Sequence, residues 1–380
     1  MRIVHLCLSN FFIDDQGYQE NLLTMENAKA GHDVTVIASR HINKLDGNYG
    51  FADVCDTVNK HNVRVIRLRY HPIIPKQLGI RLRIHTGLFD LLEQLRPDVM
   101  VFHGISGWEL FTVTKYIKKY PECTLYADNH ADFFTAGRTW ITRIFLHKIY
   151  YGWIIRHTYR YIKKILCVSP LTLKYAHEFY GIPAEKLELF PLGAQIHELD
   201  EIQKRSRDFR SNLGIAQDNI VFVQSGKQYA RKYLLETLRA FSSVGDFRFR
   251  FIIAGVLMDD VKRDALELIE KDERIIFLGW QSEDELSNLL CAADVYLVPG
   301  RQTATTQASM GSCCALVLED HIAHHMYVER NGWLVNNEDD IKSVFSDVSK
   351  NTNKLEEMKR LSYNFARANL DYGVLAQRYL

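Results

Sequence analysis

The sequence predicts an α/β protein of two doubly wound domains, each with a mainly parallel sheet covered by helices. The chain has 380 residues, which exceeds one ordinary core and suits two domains. Short apolar runs rich in β-branched residues alternate with amphipathic stretches, first in one half and then in the other. The runs are mostly apolar rather than alternating, as is typical of strands buried on both faces of a parallel sheet. Two batches of β-α units therefore indicate two open α/β sheets.

The same patterns assign individual elements in both halves. The predicted strands are 2–8, 33–39, 63–69, 98–103, 124–129 and 165–168, then 220–224, 250–254, 275–278, 295–298 and 315–318. The predicted helices are 18–30, 82–95, 108–119, 140–164, 231–241, 261–271, 283–291 and 305–312. Proline and glycine interrupt both periods near residues 191–199. We therefore predict domains over 1–192 and 193–365, and a C-terminal helix over 366–380 that packs back on the first domain.

Composition excludes several classes of protein. Lys and Arg total 47 against 46 Asp and Glu, a formal net charge of +1, which removes the electrostatic argument for a nucleic-acid binder. No stretch approaches 18 consecutive apolar residues, and the start, MRIVHLCLSNFF, reads as a first strand rather than a signal peptide. The seven cysteines are unpatterned, which favours a reduced, cytoplasmic compartment over a disulfide framework.

The small net charge conceals a basic segment. Forty-five residues between Asp132 and Glu178 contain no acidic residue and eight Lys or Arg. Within the predicted helix 140–164, four cations cluster at helical spacing: Arg156, Arg160, Lys163 and Lys164. One interpretation is a core helix with a solvated cationic face. The other is an attachment face for anionic lipid or for a lipid-diphosphate acceptor.

Two loops after second-half strands carry residues suited to anions. The segment SGKQYARK follows the predicted strand 220–224 and includes Gly226, Lys227 and Lys232. Cations and a glycine at a predicted helix start suit a diphosphate, although a solvated basic turn explains them equally. The segment PGRQTATTQA follows strand 295–298 with Gly300 and Thr303, and suits an anion or sugar hydroxyls, or only a Thr helix cap. Both loops should meet at one sheet edge.

Other nucleotide and metal signatures are missing from the sequence. There is no G-x-G-x-x-G and no G-x-x-x-x-G-K-[ST]. The first loop offers Gly17 at a predicted helix start, which is either a plain strand-to-helix turn or a helix N-terminus facing a cleft. His321, His324 and His325 lack the Glu of H-E-x-x-H, and no D-x-D occurs, so we expect no metal site.

The order of several segments resembles the retaining sugar-nucleotide glycosyltransferases of family 4, of the capsular or O-antigen type, on the two-domain GT-B scaffold. The segments, which span nearly the whole chain, are GYQENLL, GHDVTVIAS, DNHAD, CVSPLTLKYAHEFYGIP, LELFPLGA, SGKQYARK, IIFLGW, ADVYLVPG and NGWLV. This resemblance implies two Rossmann-like domains facing a cleft, with the nucleotide in the C-terminal domain and the acceptor in the N-terminal one.

The resemblance also implies roles for individual residues. Lys227 and Lys232 match the basic pair that holds the donor diphosphate, with Gly226, Gly300 and Thr303 beside them. His130 of DNHAD falls near the histidine beside the transferred sugar, and is the expected catalytic residue. The residues expected on the acceptor side of the cleft are Gly17, Gln19 and Asp128. The donor would be a UDP- or GDP-linked sugar, with no further cofactor and no metal.

One departure concerns the donor loop. The family usually has a Glu-x7-Glu motif, whose second Glu binds the ribose, and Gln307 stands at that position. A glutamine still hydrogen-bonds a ribose hydroxyl, without charge assistance. The first Glu has no counterpart, and Arg301, Gln302 or Thr303 could replace it. A weakened or repurposed enzyme is the alternative.

We therefore expect a retaining, metal-independent glycosyltransferase that extends a glycan, lipid-linked or free, in surface polysaccharide biosynthesis. It would work in the cytoplasm, peripheral to the inner face of the cell membrane. The alternatives are a nucleotide-sugar epimerase or phosphorylase on the same fold, and a non-catalytic sugar-nucleotide or glycan-binding protein.

Overall fold

The computed structural model describes residues 1–14, 17–43, 49–133, 136, 139–301 and 303–380. The chain divides into two compact units. The first unit comprises Met1–Pro191 and Tyr372–Leu380, and the second comprises Leu192–Asp371.

Strands and helices alternate along both units. The strands are β1 Arg2–Cys7, β2 Asp33–Ser39, β3 His41–Asn43, β4 Tyr49–Phe51, β5 Asp56–Val58, β6 Arg64–Leu68, β7 Val99–Phe102, β8 Thr124–Asn129, β9 Ile165–Cys167, β10 Leu187–Leu189, β11 Ile220–Gln228, β12 Phe249–Leu257, β13 Ile275–Gly279, β14 Val295–Val298, β15 Ala315–Glu319 and β16 Gly332–Val335. The α-helices are α1 Gln19–Lys29, α2 Lys76–Leu82, α3 Leu88–Leu95, α4 Glu109–Lys119, α5 Gly152–Thr158, α6 Pro170–Tyr180, α7 Leu199–Asn212, α8 Leu234–Ser242, α9 Lys262–Glu270, α10 Glu283–Ala292, α11 Thr305–Gly311, α12 Glu338–Lys350, α13 Thr352–Asn369 and α14 Tyr372–Gln377.

The first unit is built on one sheet of order β10-β9-β8-β7-β1-β2-β6-β5. All neighbouring strands in it are parallel except β5, which runs antiparallel to β6. The chain moves outward from β1 through β2 to β6, and then returns to β7 on the other side of β1. The order therefore reverses between β1 and β7, where loops diverge and open α/β sheets bind ligands.

The second unit repeats this plan with the order β13-β12-β11-β14-β15-β16, parallel throughout. Its reversal lies between β11 and β14. The central strands are buried on both faces; Val221, Phe222 and Val223 of β11 are all fully buried, which explains their continuous apolar sequence. The prediction of two doubly wound α/β domains is confirmed.

The C-terminal segment belongs to the first unit. Tyr372, Leu375 and Tyr379 are buried against α1 and the first sheet, in one cluster with Leu23 and Tyr126. The C-terminal segment therefore packs on one face of the first sheet, against β7 and β8.

The structure corrects several predicted elements. The helix predicted over 82–95 is shorter, because only Leu88–Leu95 is helical, as α3. Arg83 and Gly87, with left-handed φ of 57° and 78°, separate it from α2, which ends at Leu82 and was not predicted. Strand β11 runs four residues beyond its predicted end, to Gln228. Helices α6 and α7 and the short strands β3, β4, β5, β10 and β16 were not predicted as elements. The C-terminal helix predicted over 366–380 is instead the end of α13, which stops at Asn369, followed by the separate helix α14.

Candidate functional site

The loops after β11 and β14 flank the reversal of the second sheet. Gly226 has φ of 101° and pairs with Gly255 of β12. A Cβ added to Gly255 would lie 1.9 Å from the Gly226 carbonyl oxygen, so these two strands approach too closely for a side chain there. Lys227 follows in register with Val256 and is exposed. The strand thus carries this cation to the carboxyl edge of the sheet.

The basic segment after β11 is not the start of an α-helix as predicted. Residues Ala230–Lys232 form a 3₁₀ turn, and α8 begins only at Leu234. The reason is Tyr233, whose φ of 55° breaks the helical path between them. The three cations therefore stand on a strand end and a tight turn, without an α-helix dipole behind them.

Lys232 joins the two loops. Its side chain is largely buried, and Nζ donates a hydrogen bond to the main-chain carbonyl of Arg301 in the β14 loop. Burial, reinforced by the positive charge of Arg301, lowers the pKa of Lys232 to about 8, against an opposing effect of Glu319. A phosphate beside Lys232 would raise this pKa again, because a negative charge favours the ammonium form.

Gly300 lets the two loops touch. A Cβ at this position would lie 2.1 Å from the carbonyl oxygen of Arg231, and the Arg301 amide donates to that same oxygen at 3.1 Å. Thr303 is half-buried and shares a hydroxyl contact of 3.3 Å with Thr305 at the start of α11. Gln302 lies outside the described residues. Gly300 is thus needed for close backbone packing at this crevice.

Gln307 points into the second unit. Its side chain is buried, and its amide nitrogen donates to the Tyr327 hydroxyl at 2.7 Å. Its amide oxygen is buried and has no hydrogen-bond partner among the described residues. A buried amide oxygen left without a donor is costly, so Gln307 has one acceptor that is unused among the described residues.

The reversal of the first sheet is lined by the loops after β1 and β7. The Ser9 hydroxyl donates to the carbonyl of Ser106. Gly104 and Gly107 have φ of 86° and 122°, and a Cβ on Gly107 would lie 2.9 Å from Ser9 Oγ. Glycine is therefore required for the loop after β7 to lie against the loop after β1.

His130 follows β8 in this first unit. About one third of its side chain is exposed, while Nε2 is buried and lies 3.5 Å from Asp128 Oδ2. Burial by itself lowers the pKa of His130, but the Asp128 carboxylate and, more weakly, Glu20 raise it, to about 9. The ring is therefore an imidazolium near neutral pH, with Nδ1 available to donate to a ligand.

Asp128 is not at the surface of the first unit, although it was predicted among the residues on the acceptor side of the cleft. It is fully buried; Oδ1 accepts from the Gly104 amide at 2.6 Å and Oδ2 accepts from His103 Nδ1 at 2.5 Å. Although burial raises the pKa of an aspartate, the two neighbouring histidines lower that of Asp128. It is therefore an anion that acts through its histidine neighbours.

The start of α1 holds the other residues predicted on the acceptor side. Gly17 is exposed just before the helix. Gln19 is buried, and neither its amide nitrogen nor its amide oxygen has a hydrogen-bond partner in the part of the chain that the structure describes. Gln19 is thus a buried polar group that a ligand can satisfy.

The basic segment of the first unit differs from the predicted helix. The helix from residue 140 is π-helical over Thr142–Tyr151, α-helical over Gly152–Thr158 and 3₁₀ over Tyr159–Tyr161. Ile162 is buried and extended, and it ends the helix. Lys163 and Lys164 therefore lie beyond it, and Lys164 Nζ donates to the Glu185 carbonyl at 2.8 Å. Of the four cations predicted to cluster on this helix, only Arg156 and Arg160 lie on it.

What the helix exposes instead is apolar. Six large side chains are each at least 38% exposed. They are Trp140, Ile141, Ile144, Phe145, Ile149 and Trp153. They recur at four- to five-residue spacing, which matches the wider turn of the π-helix and places them along one side. We call these six residues the apolar helix face.

Two absences complete the description. No helix within the described ranges is long and apolar enough to cross a membrane. Among the residues described, no group of three or more His, Cys, Asp or Glu side chains is placed to hold a metal ion.

Sequence reasoning missed two fully buried histidines, His103 and His5. His103 contacts Asp128, the neighbour of His130, and His5 contacts His103. A signal was present for His5, because a histidine interrupts the otherwise apolar strand IVHLC. Asn27 on α1, which is buried and contacts His5, was also missed, and nothing in the sequence pattern of α1 distinguishes it.

Two parallel α/β sheets with polar loops at each reversal define the class of this protein: it has the GT-B fold of glycosyltransferases. HepE of Anabaena, solved with UDP, superposes with a TM-score of 0.68 at 14% identity, over 100% of this chain and 98% of HepE. WaaG, a glycosyltransferase involved in lipopolysaccharide biosynthesis, gives 0.63 at 14% over 99% and 98%. The UDP-GlcNAc 2-epimerase of Neisseria meningitidis gives 0.60 at 12% over 99% and 98%.

Two family models match separate parts of the chain. Residues 23–198 match Glycosyltransferase Family 4, and residues 217–350 match Glycosyl transferases group 1. The N-terminal part of the chain is therefore similar to the first of these families and the C-terminal part to the second, in agreement with the GT-B fold. No curated protein sequence matches it significantly.

Proposed function

We propose that this protein transfers a sugar, with retention, from a nucleotide-diphosphate donor to a lipid-linked glycan acceptor in surface polysaccharide biosynthesis. The observation that carries the proposal is the crevice between β11 and β14. There Gly300 brings two loops together and Lys232 is buried at the junction, with Lys227, Arg231 and Arg301 exposed around it. HepE has been solved with UDP-glucose, which supports a UDP-linked donor; a GDP-linked donor is the second choice.

The roles of the second-unit residues follow from the negative charge that forms on the nucleotide as the sugar leaves. Breaking the bond between sugar and diphosphate leaves negative charge on the departing nucleotide. Lys227 and Lys232 balance that charge, so the proposal requires no divalent metal. The ribose is bound by the unpartnered amide oxygen of Gln307, and Thr303 with Arg301 lies toward the sugar.

His130 and Gln19 act in the first unit. The reacting sugar carbon becomes oxocarbenium-like, and its hydroxyls need fixed hydrogen-bond partners. His130 donates to one of them from Nδ1, while the Asp128 carboxylate lies 3.5 Å from Nε2 as its ion-pair partner. Gly17 and Gln19 bind acceptor hydroxyls. We assign no enzymatic nucleophile and no general base.

The apolar helix face supports work at a membrane. Large aromatic and aliphatic side chains flanked by cations bind the boundary between headgroups and acyl chains of anionic lipid. Lys148, Arg156 and Arg160 are exposed on the same helical segment, and Phe111 stacks edge-on to Trp153 at 5.1 Å. This placement suits an acceptor carried by a lipid and a location at the cytoplasmic side of the cell membrane.

The test is turnover of a panel of labelled UDP- and GDP-sugars, with and without lipid-linked acceptors and with EDTA. Transfer with an unchanged anomeric configuration, read by NMR, is the expected result. Isomerisation of the donor without acceptor would identify an epimerase, and sugar-1-phosphate formed with inorganic phosphate a phosphorylase. Saturable donor binding without any turnover would identify a binding protein and overturn the proposal.

A further inference from the structure

A chain of buried polar side chains runs inward from His130 through the first sheet. Asp128 Oδ2, which faces His130, also lies 2.5 Å from His103 Nδ1, and His103 Nε2 lies 3.0 Å from His5 Nδ1. These residues stand on the adjacent strands β8, β7 and β1 or directly after them. Both His5 and His103 are fully buried, so their nitrogens depend on one another for hydrogen bonds.

The far end of the chain is the last turn of the protein. Asn27 on α1 is fully buried, and its amide oxygen accepts from the Tyr379 hydroxyl at 3.0 Å and lies 3.0 Å from His5 Nε2. The Asn27 amide nitrogen donates to the Ala376 carbonyl at 3.4 Å, which orients the amide. Contacts therefore run without a break from Asp128 to Tyr379.

These contacts determine where the protons lie. Because Asn27 presents an oxygen, His5 must carry a proton on Nε2. A neutral His5 then accepts at Nδ1, so His103 Nε2 donates to it. His103 Nδ1 donates to Asp128, and His103 is consequently protonated on both nitrogens.

The electrostatics agree with this assignment. Burial and then the charge of His103 lower the pKa of His5 to about 3, which keeps it neutral. Burial alone would also lower the pKa of His103, but Asp128 and Glu20 raise it above the ordinary value. The remaining titratable groups against the cluster stay neutral, since burial raises the pKa of each. They are Cys7 on β1, Cys167 on β9 and Tyr379.

We propose that His103 is a positioning residue for His130, and that His5, Asn27 and Tyr379 hold it in that role. This inference rests on the proposed function, in which His130 contacts the transferred sugar. His103 and the Gly104 amide together fix the Asp128 carboxylate, which in turn orients His130.

Two substitutions of His103 distinguish the loss of its hydrogen bond to Asp128 from the loss of its ring. The amide nitrogen of Asn corresponds to Nδ1 and retains a donor to Asp128, whereas Gln reaches the Nε2 position and leaves Asp128 unsatisfied on that side. We expect H103Q to lower kcat about tenfold or more, as loss of an orienting partner does, with the KM for donor little changed. H103N should retain most of kcat. Equal losses in kcat would overturn the proposal.

The pH profile adds a readout that a structural role would not move. Both variants remove a positive charge beside Asp128, so the pKa of His130 should rise in both. The upper limb of the kcat profile should therefore shift to higher pH. An unchanged limb would contradict the coupling.

Tyr379→Phe tests the far end, with Tyr363→Phe as a matched control. Each removes the hydroxyl of a buried tyrosine that donates a 3.0 Å hydrogen bond, to Asn27 in one case and to the His197 carbonyl in the other. Both should lower the denaturation midpoint to a similar extent. Only Tyr379→Phe should reduce kcat, by a few-fold; equal activities would remove Tyr379 from the chain.

Nuclear magnetic resonance with ¹⁵N-histidine tests the proton assignment without turnover. At pH 7 the His103 ring should show both nitrogens protonated and the His5 ring a proton on Nε2 only. The His130 titration midpoint should rise in H103N. A neutral His103 would overturn the inference even if the enzyme is active, and absence of transfer from every donor would overturn the proposed function alone.

Discussion

The buried ammonium group of Lys232 donates to the main-chain carbonyl of Arg301, and in doing so it joins the two loops at the reversal of the second sheet. Neither loop is rich enough in glycine to form a phosphate cradle by itself. Their junction creates the one place in the second unit where buried positive charge lies at the carboxyl edge of β11 and β14, among the residues described.

Donor binding should depend on the protonation of Lys232. Its pKa of about 8 in the free protein means that the ammonium form is present below pH 8 and is lost as the pH rises through this value. The Kd for UDP or GDP, measured by titration calorimetry, should therefore rise above pH 8 by up to about tenfold per unit. Lys232→Arg stays charged and should bind without this dependence. Parallel behaviour of both proteins from pH 7 to 9.5 would contradict the assignment.

Gly300→Ala should force the two loops apart. The new methyl group would lie 2.1 Å from the Arg231 carbonyl oxygen, so we expect a loss of about 1–3 kcal/mol in the free energy of unfolding and weaker nucleotide binding. Gly245→Ala is the control, because nothing lies within 4 Å of its added Cβ. Chemical denaturation should show the control near wild type. Equal stability of the two variants would refute the packing argument.

Gln307→Leu should separate ribose recognition from diphosphate recognition. The substitution removes the amide oxygen that has no partner among the described residues, and it leaves both lysines in place. Affinity for UDP should fall by about 1–2 kcal/mol, or roughly five- to thirtyfold, while affinity for inorganic diphosphate should not change. Tyr327→Phe removes only the partner of the amide nitrogen and should affect UDP less. A common decrease for both ligands would indicate general damage.

Turnover should report the charge on His130. Because its pKa is raised to about 9, the imidazolium is fully present at pH 6.5 and is lost as the pH rises through about 9. We expect kcat at saturating donor to fall along that limb, and His130→Gln to lower kcat about a hundredfold and abolish the limb. Because the folded protein raises the pKa of His130, protonation of this residue also stabilises the fold below pH 6.5. The free energy of unfolding should therefore fall between pH 6.5 and about 9 in the wild type, and fall less in the variant.

Vesicle sedimentation should test the apolar helix face. Phe145→Ser with Ile149→Ser removes two exposed apolar side chains, and should weaken binding to anionic vesicles at least tenfold with little effect on folding. Charge reversal of Arg156, Arg160 and Lys163 should weaken it further, at about 1 kcal/mol per cation removed, and should reduce its salt dependence. Lys164→Ala is a control, since its ammonium is bonded to the Glu185 carbonyl. Unchanged sedimentation of all variants would remove the membrane from the proposal.

Most of the fold could be predicted from sequence because buried parallel strands carry an unambiguous apolar signal. Strands β2, β8 and β14 begin and end at the predicted residues. Three errors fall where backbone conformation rather than hydrophobicity decides. Left-handed residues at Arg83 and Tyr233 delay the start of a helix beyond its predicted first residue, and the extended Ile162 ends a helix that the periodicity would continue.

The sequence by itself determined the two-sheet plan and the chemistry of the loops: the cations of SGKQYARK, the glycine of PGRQ and the histidine of DNHAD are legible as residue types. Only the tertiary structure decided what each residue does. Lys232 is a buried link and Lys227 an exposed cation, although the sequence presents them alike, and Asp128 lies beneath the surface. His5, Asn27 and Tyr379 meet in one chain of contacts, although Asn27 and Tyr379 are 352 positions apart in sequence. The physical reason is that burial and hydrogen-bond partners set charge states and roles, and both depend on neighbours that are distant in sequence.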